Sequence, residues 1–200
     1  MRLLKAAVFV LCLAPLAWLL WLGFRQDLGA NPIEHVTHAT GLWALRLLAA
    51  TLAVTPLRKL TGLSQLIRLR RMLGLFAFFY GCLHLLTYLW LDQFFDAAEI
   101  ARDIVKRPFI TAGFAAFAAM VPLAVTSTAG WIRRLGGRRW QLLHRLVYLS
   151  AAAAVVHFFW LVKSDLRRPL AYAVLVALLL GLRVLLRKRR ASPAAPSVAG

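Results

Sequence analysis

The sequence predicts an all-α polytopic membrane protein, a single bundle of six transmembrane helices with both termini in the cytoplasm. Three observations lead there. Hydrophobic residues make up 62% of the chain and mean hydropathy is +0.72, whereas a soluble domain is nearer half apolar. The apolar residues fall in six runs, each long enough to cross a bilayer as a helix rising ~1.5 Å per residue. Basic residues cluster between those runs, so the net charge of +18 reads as topology signalling beside anionic lipid and not as a nucleic-acid surface.

The first span covers residues 6–24, behind Arg2 and Lys5. It is longer than a signal-peptide core and no A-x-A site follows it, so it is expected to stay as a span. Residues 25–40 form an outer connection containing His35 and His38, read as surface histidines in a loop. The second span, 41–57, carries Arg46 and ends in a basic loop containing Arg68, Arg70 and Arg71. The third, 72–91, carries Cys82 and His84. A connection with a short interfacial helix (DAAEIARDIVK) leads to the fourth span, 108–128, which starts at Pro108 and contains Pro122. The loop GWIRRLGGRR precedes the fifth span, 141–162, with His144 and His157, and the sixth covers 169–186. Residues 1–190 form the one domain, and 191–200 (ASPAAPSVAG) make a disordered tail. Cys12 and Cys82 lie inside spans, which leaves packing as their role.

Charge fixes the orientation. Fifteen Lys and Arg residues fall on the side of the two termini, seven on the opposite side, and three within spans. All seven acids lie on the second side. The bias places the termini inside.

Ionisable side chains at membrane depth mark function. His84 and His157 lie roughly 10 Å and 8 Å below the outer boundary on spans that run in the same direction. Two imidazoles at one level suit a bis-histidine haem iron. Tyr80, Leu83, Tyr88, Phe158, Phe159 and Trp160 could wall a macrocycle or serve as plain core. Zinc lacks further ligands at that depth. His144 lies roughly 20 Å along the axis from His157 and about 140° around an ideal helix. It has two readings. One is a ligand to a second, inner haem, with Met72 as a weak partner; the other is a contact to a quinol or a flavin phosphate beside the Arg68–Arg71 cluster. Arg46 either neutralises a haem propionate or snorkels to the outer headgroups, and Arg183 is expected to snorkel at the inner end.

Histidines on the third and fifth of six spans resemble the ferric-reductase-type transmembrane domain of metalloreductases and NADPH oxidases. A closer resemblance is to the MsrQ family, the haem-binding membrane subunits of bacterial periplasmic methionine sulfoxide reductase systems. It is carried by TGLWALRLLAATLAVTPLR, RRMLGLFAFFYGCLHLLTYLWLD, KRPFITAGFAAF, PLAVTS and WQLLHRLVYLSAAAAVVHFFWLVK, in that order. The resemblance implies a subunit in the bacterial inner membrane with haem b, one or two, and FMN. It would carry electrons from respiratory quinol to a periplasmic molybdopterin-containing partner, forming a heterodimer in which the partner reduces methionine sulfoxide. His84, His144 and His157 match the family's haem-associated histidines. The broader pattern's fourth histidine falls where Arg70 and Arg71 stand, which leaves any inner haem without that ligand. A self-contained ferric or cupric reductase is the alternative, and a histidine-relay transporter a further one.

Overall fold

The computed structural model describes residues 2–191, with side chains as far as Leu186, and is helical throughout with no strand among them. Its helices are α1 (Arg2–Phe24), α2 (Pro32–Thr61), α3 (Ile67–Leu86), α4 (Ala97–Lys106), α5 (Pro108–Val125), α6 (Ala129–Leu143), α7 (Leu146–Leu161) and α8 (Arg167–Ala191). Five of them, α1, α2, α3, α5 and α8, are long and apolar enough to cross a bilayer, α3 with its continuation. The pair α6–α7, bent by 40° at its break, is long and apolar enough when taken together to count as a further span, which brings the number to as many as six. This is a multi-pass membrane protein. Beyond Ala191, the tail expected at 191–200 lies outside the described residues.

Two hairpin-like pairs, α2 with α3 and α5 with α7, carry the closest packing, and α8 lies against α2 and α7. Lipid tails give helices no hydrophobic reason to associate, so close approach at small residues and polar links across helices must do it. The α5–α7 seam shows both: Ala116 and Ala151 are buried, and the Ser150 hydroxyl donates to the Ala116 carbonyl at 2.9 Å. At the α2–α3 seam, Gly74 lets Thr51 come close. Leu48, Leu52, Ala77 and Tyr80 fill the centre.

Helix α1 touches the rest lightly, and Phe9, Leu11, Trp18 and Trp21 stand exposed on it. One polar contact anchors it. The fully buried Tyr80 hydroxyl accepts from the Leu16 N–H at 3.1 Å and donates to the Cys12 carbonyl at 2.8 Å, bridging both ends of a helical link beside Pro15. A side chain reaching into the backbone ladder at a proline is a recognised cause of helix bending.

Three boundaries differ from the sequence reading. Helix α2 begins at Pro32, where Asn31 caps it by accepting from the Glu34 N–H, so His35 and His38 lie on a helix and not in a loop. The expected loop GWIRRLGGRR is mostly helical in α6, with a kink at Gly136, whose φ of 71° only glycine adopts easily. Most consequential, the fifth span is not one helix from 141 to 162. It breaks at His144–Arg145, between α6 and α7. The break falls on two adjacent polar residues of the run, which by themselves do not distinguish a break from a continuous span. Above α3 the chain continues as a π-helical turn, Thr87–Asp92, and then as α4, capped by Asp96.

Candidate functional site

His84 on α3 and His157 on α7 face one another where the two helix pairs meet. Their ring centroids are 6.0 Å apart and the rings stand at 72°. Each is oriented by a helix other than its own. His84 Nδ1 donates to the Thr37 carbonyl of α2 at 2.9 Å, and His157 Nδ1 donates to the Phe109 carbonyl of α5 at 2.6 Å. A carbonyl only accepts, so Nδ1 carries the proton and Nε2 keeps a bare lone pair. That arrangement, in which a backbone acceptor fixes the tautomer and raises the basicity of the free nitrogen, is how metal-ligating histidines are prepared.

Two glycines make the arrangement possible. A Cβ on Gly41 would lie 2.9 Å from His84 Cε1, and one on Gly113 would lie 2.9 Å from His157 Nδ1. No side chain fits at either place without displacing an imidazole. Reading the sequence did not single out these glycines; their signal was a glycine inside an apolar helix, which on its own is common.

The pair fits a haem iron. The two rings stand opposed with centroids 6.0 Å apart, each with Nδ1 tied to a backbone carbonyl and Nε2 left over as a donor to a metal, and two such histidines are a donor set that a haem iron takes. A bare metal ion does not fit, because no three His, Cys, Asp or Glu side chains converge among the described residues. Two histidines would instead suit an iron whose remaining ligands come from a macrocycle.

The surroundings differ in part from those expected. The Tyr80 hydroxyl is occupied with α1, Phe158 packs against Tyr172, and Phe159 and Trp160 are exposed to the lipid side. Tyr88 stands edge-on to Phe114 and donates to Asp103, while Leu83 packs against the core. Arg46 points to neither histidine. It lies five residues beyond Gly41, about 140° around α2, where its Nε donates to the Tyr172 hydroxyl at 3.1 Å and its guanidinium sits 4.7 Å from the Trp43 ring centre. His35 and His38 are exposed, His38 with Glu34 at 3.9 Å.

His144 stands apart. Its Nδ1 donates to the Trp140 carbonyl at 3.1 Å, its ring stacks on the Trp140 indole at 3.8 Å, and Nε2 is buried with no hydrogen-bond partner. No second imidazole opposes it, and Met72 packs into the core at the start of α3. Arg70 is half-buried and within Coulombic reach of His144, whereas Arg71 is exposed. Arg183 does not snorkel as expected. Its Nε and Nη2 donate to the Leu52 carbonyl at 3.1 and 2.6 Å, and Nη1 donates to the Tyr148 hydroxyl at 2.9 Å. Pro56, four residues beyond Leu52, has no N–H to give that carbonyl. The guanidinium takes the place of the missing donor.

Residues 40–156 match the family described as ferric reductase like transmembrane component. The chain is also similar to proteins named protein-methionine-sulfoxide reductase heme-binding subunit MsrQ. That of Herminiimonas arsenicoxydans is 53% identical over 186 residues, covering 92% of this chain and 85% of the relative. That of Azospira oryzae is 58% identical over 194 residues, covering 95% and 82%. That of Rhodospirillum rubrum is 55% identical over 197 residues, covering 98% and 95%.

Proposed function

The chain belongs to the ferric reductase like transmembrane component family and, within it, to the MsrQ heme-binding subunits, and we propose that it carries electrons across the bacterial inner membrane through a b-type haem held by His84 and His157. Electrons would come from the quinone pool at the basic end of the bundle. They would leave at the acid-bearing end to a periplasmic molybdopterin subunit that reduces methionine sulfoxide, so that the catalytic reduction belongs to the partner. The charge bias of the loops supports that orientation.

The observation that carries the reading is the opposed imidazole pair, 6.0 Å between centroids with both Nδ1 atoms tied to backbone carbonyls. A bound haem would supply one-electron chemistry between its ferric and ferrous states. The chain's own residues do the rest. His84 and His157 would hold the haem through their Nε2 nitrogens. The Thr37 and Phe109 carbonyls hold the rings in place and set their basicity. Gly41 and Gly113 leave room for them.

The test is spectroscopic. Purified protein is expected to show a reducible b-type spectrum, lost in His84→Ala and in His157→Ala while helical content is retained. Full haem content in either variant would falsify the pairing. Reduction of the haem by added quinol, and its reoxidation only when the periplasmic partner and a methionine sulfoxide substrate are present, tests the direction of flow.

A further inference from the structure

Arg46 is fixed in one orientation at the α2–α8 seam, exposed on the lipid side, and no anion meets it. Its Nε donates to the Tyr172 hydroxyl at 3.1 Å, and its guanidinium carbon stands 4.7 Å from the centre of the Trp43 ring. The indole is backed in turn by the fully buried Tyr80 ring, 6.5 Å away between centres. A guanidinium carries five N–H donors in a rigid fork. Tyr172 takes one of them, and Nη1 and Nη2 make no hydrogen bond among the described residues. A snorkelling arginine needs freedom to follow the headgroups. This one is stacked on one helix and pinned to another.

The charge around it is one-sided. The ion pairs among the described residues are His38–Glu34, Arg102–Glu99 and Arg107–Asp103, and Arg46 belongs to none of them. Asp165, the acid of the neighbouring α7–α8 connection, accepts from the Arg167 N–H at 3.1 Å at the start of α8. Arg168 stands four residues before Tyr172, one turn further out on the same face of α8. Arg46 lies five residues past Gly41 and Tyr172 five past Arg167, so both sit roughly 7 Å inside their span ends. Deeper along α8, Val174 and Leu175 are 56% and 41% exposed, an apolar surface for hydrocarbon. A cation at this depth is costly unless it is partnered. The face of α2 that meets His84, marked by Gly41, is about 140° away around the helix, so the bilayer is the nearer source of an anion. A planar fork takes two oxygens of one phosphate side by side, which an ammonium does not.

We propose that Arg46, set by Tyr172 and Trp43, binds the phosphodiester of an anionic glycerophospholipid at the acid-bearing end of the bundle. Arg168 is the second cation of the site, and the acyl chains lie along Val174 and Leu175. The seam between α2 and α8 is then closed by a lipid that the protein holds in a defined place.

Native mass spectrometry of the haem-loaded protein, released from phosphatidylcholine nanodiscs doped with phosphatidylglycerol, tests this. Arg46→Met removes the fork and keeps an apolar stem, Arg46→Lys keeps the charge without the fork, and Tyr172→Phe removes the hydroxyl that fixes it. Arg25→Met is the control, since Arg25 lies at the same end of the bundle over Trp21 and donates to no side-chain hydroxyl. The expected result is about tenfold weaker retention of phosphatidylglycerol in Arg46→Met, the scale of one lost charge-assisted hydrogen bond. A smaller loss is expected in Arg46→Lys and Tyr172→Phe and none in Arg25→Met, with the haem spectrum unchanged in all four. If Arg46→Met does not fold, the other two substitutions carry the test. Wild-type retention in Arg46→Lys and Tyr172→Phe, or an equal loss in Arg25→Met, overturns the proposal. So does a loss of haem in Arg46→Met with lipid retained, which would give the guanidinium to the cofactor.

Discussion

The outer histidine pair and His144 are anchored by the same atom and differ in everything else. All three imidazoles give Nδ1 to a backbone carbonyl. For His84 and His157 that carbonyl belongs to a different helix, so each ring ties two helices together. For His144 the carbonyl is four residues back in the chain, and the ring sits at the break between α6 and α7. A ring braced across helices can grip something rigid between them. The outer pair therefore bridges separate helices, whereas His144 is braced within its own turn at the break between α6 and α7.

The largest expected effect separates the two regions directly. His84→Ala or His157→Ala is expected to remove the b-type spectrum, whereas His144→Ala leaves it at wild-type intensity. Equal losses in all three variants would erase the distinction and point to a cofactor shared along the bundle. The next effect probes the room behind the outer rings. Gly41→Ala and Gly113→Ala place a methyl group 2.9 Å from an imidazole atom, closer than real contacts, while Gly74→Ala meets Thr51 at an ordinary 3.6 Å. Overpacking of this kind costs roughly 1–3 kcal/mol. Haem occupancy or ligand-field spectra are expected to change in the first two variants and not in the third, with all three folded.

A third effect concerns stability on the side of His144. Arg183→Met leaves the Leu52 carbonyl without a donor at a buried position, which costs about 1–3 kcal/mol. Pro56→Ala supplies the backbone N–H that the carbonyl lacks, so the double variant is expected to recover part of the loss in a thermal or denaturant unfolding assay. Strict additivity of the two substitutions would mean that the arginine acts through Tyr148 and Thr55 and not through the proline gap.

The outer clamp was largely legible in the sequence because depth follows from span ends and charge bias, and two histidines at one depth form a pattern. What was not legible depends on direction around a helix. Arg46 lies near the expected depth, yet its azimuth carries it to Tyr172 and Trp43 at the α2–α8 seam. Arg183 lies in a stretch that reads as a membrane-end anchor, but its partner is a carbonyl 131 residues away, freed by a proline. The break falls on His144–Arg145, two polar residues flanked by Leu142, Leu143, Leu146 and Val147, and a polar pair inside an apolar stretch reads equally well as part of an unbroken span. A membrane sequence reports which residues face oil; it says little about which backbone acceptors have lost their donors.

The smallest expected effect lies above the clamp, where α4 meets the span ends. Asp103 is 8% exposed, accepts from the Tyr88 hydroxyl at 3.1 Å, and pairs with Arg107 Nε at 3.1 Å. Arg107 opens α5, and two residues later the Phe109 carbonyl holds His157. Asp103→Asn keeps the shape but removes the charge, weakening both links without deleting a ligand. Backbone amides of α4, Ala97–Lys106, are expected to exchange hydrogen several-fold faster by mass spectrometry, with haem content close to wild type. Asp103→Glu is expected to restore protection in part. If exchange in α4 is unaffected by either substitution, the helix is held by its contact with the bilayer surface. The carboxylate then plays no part in fixing the end of α5, and the rigidity of the His157 carbonyl must come from the packing of α5 against α7 alone.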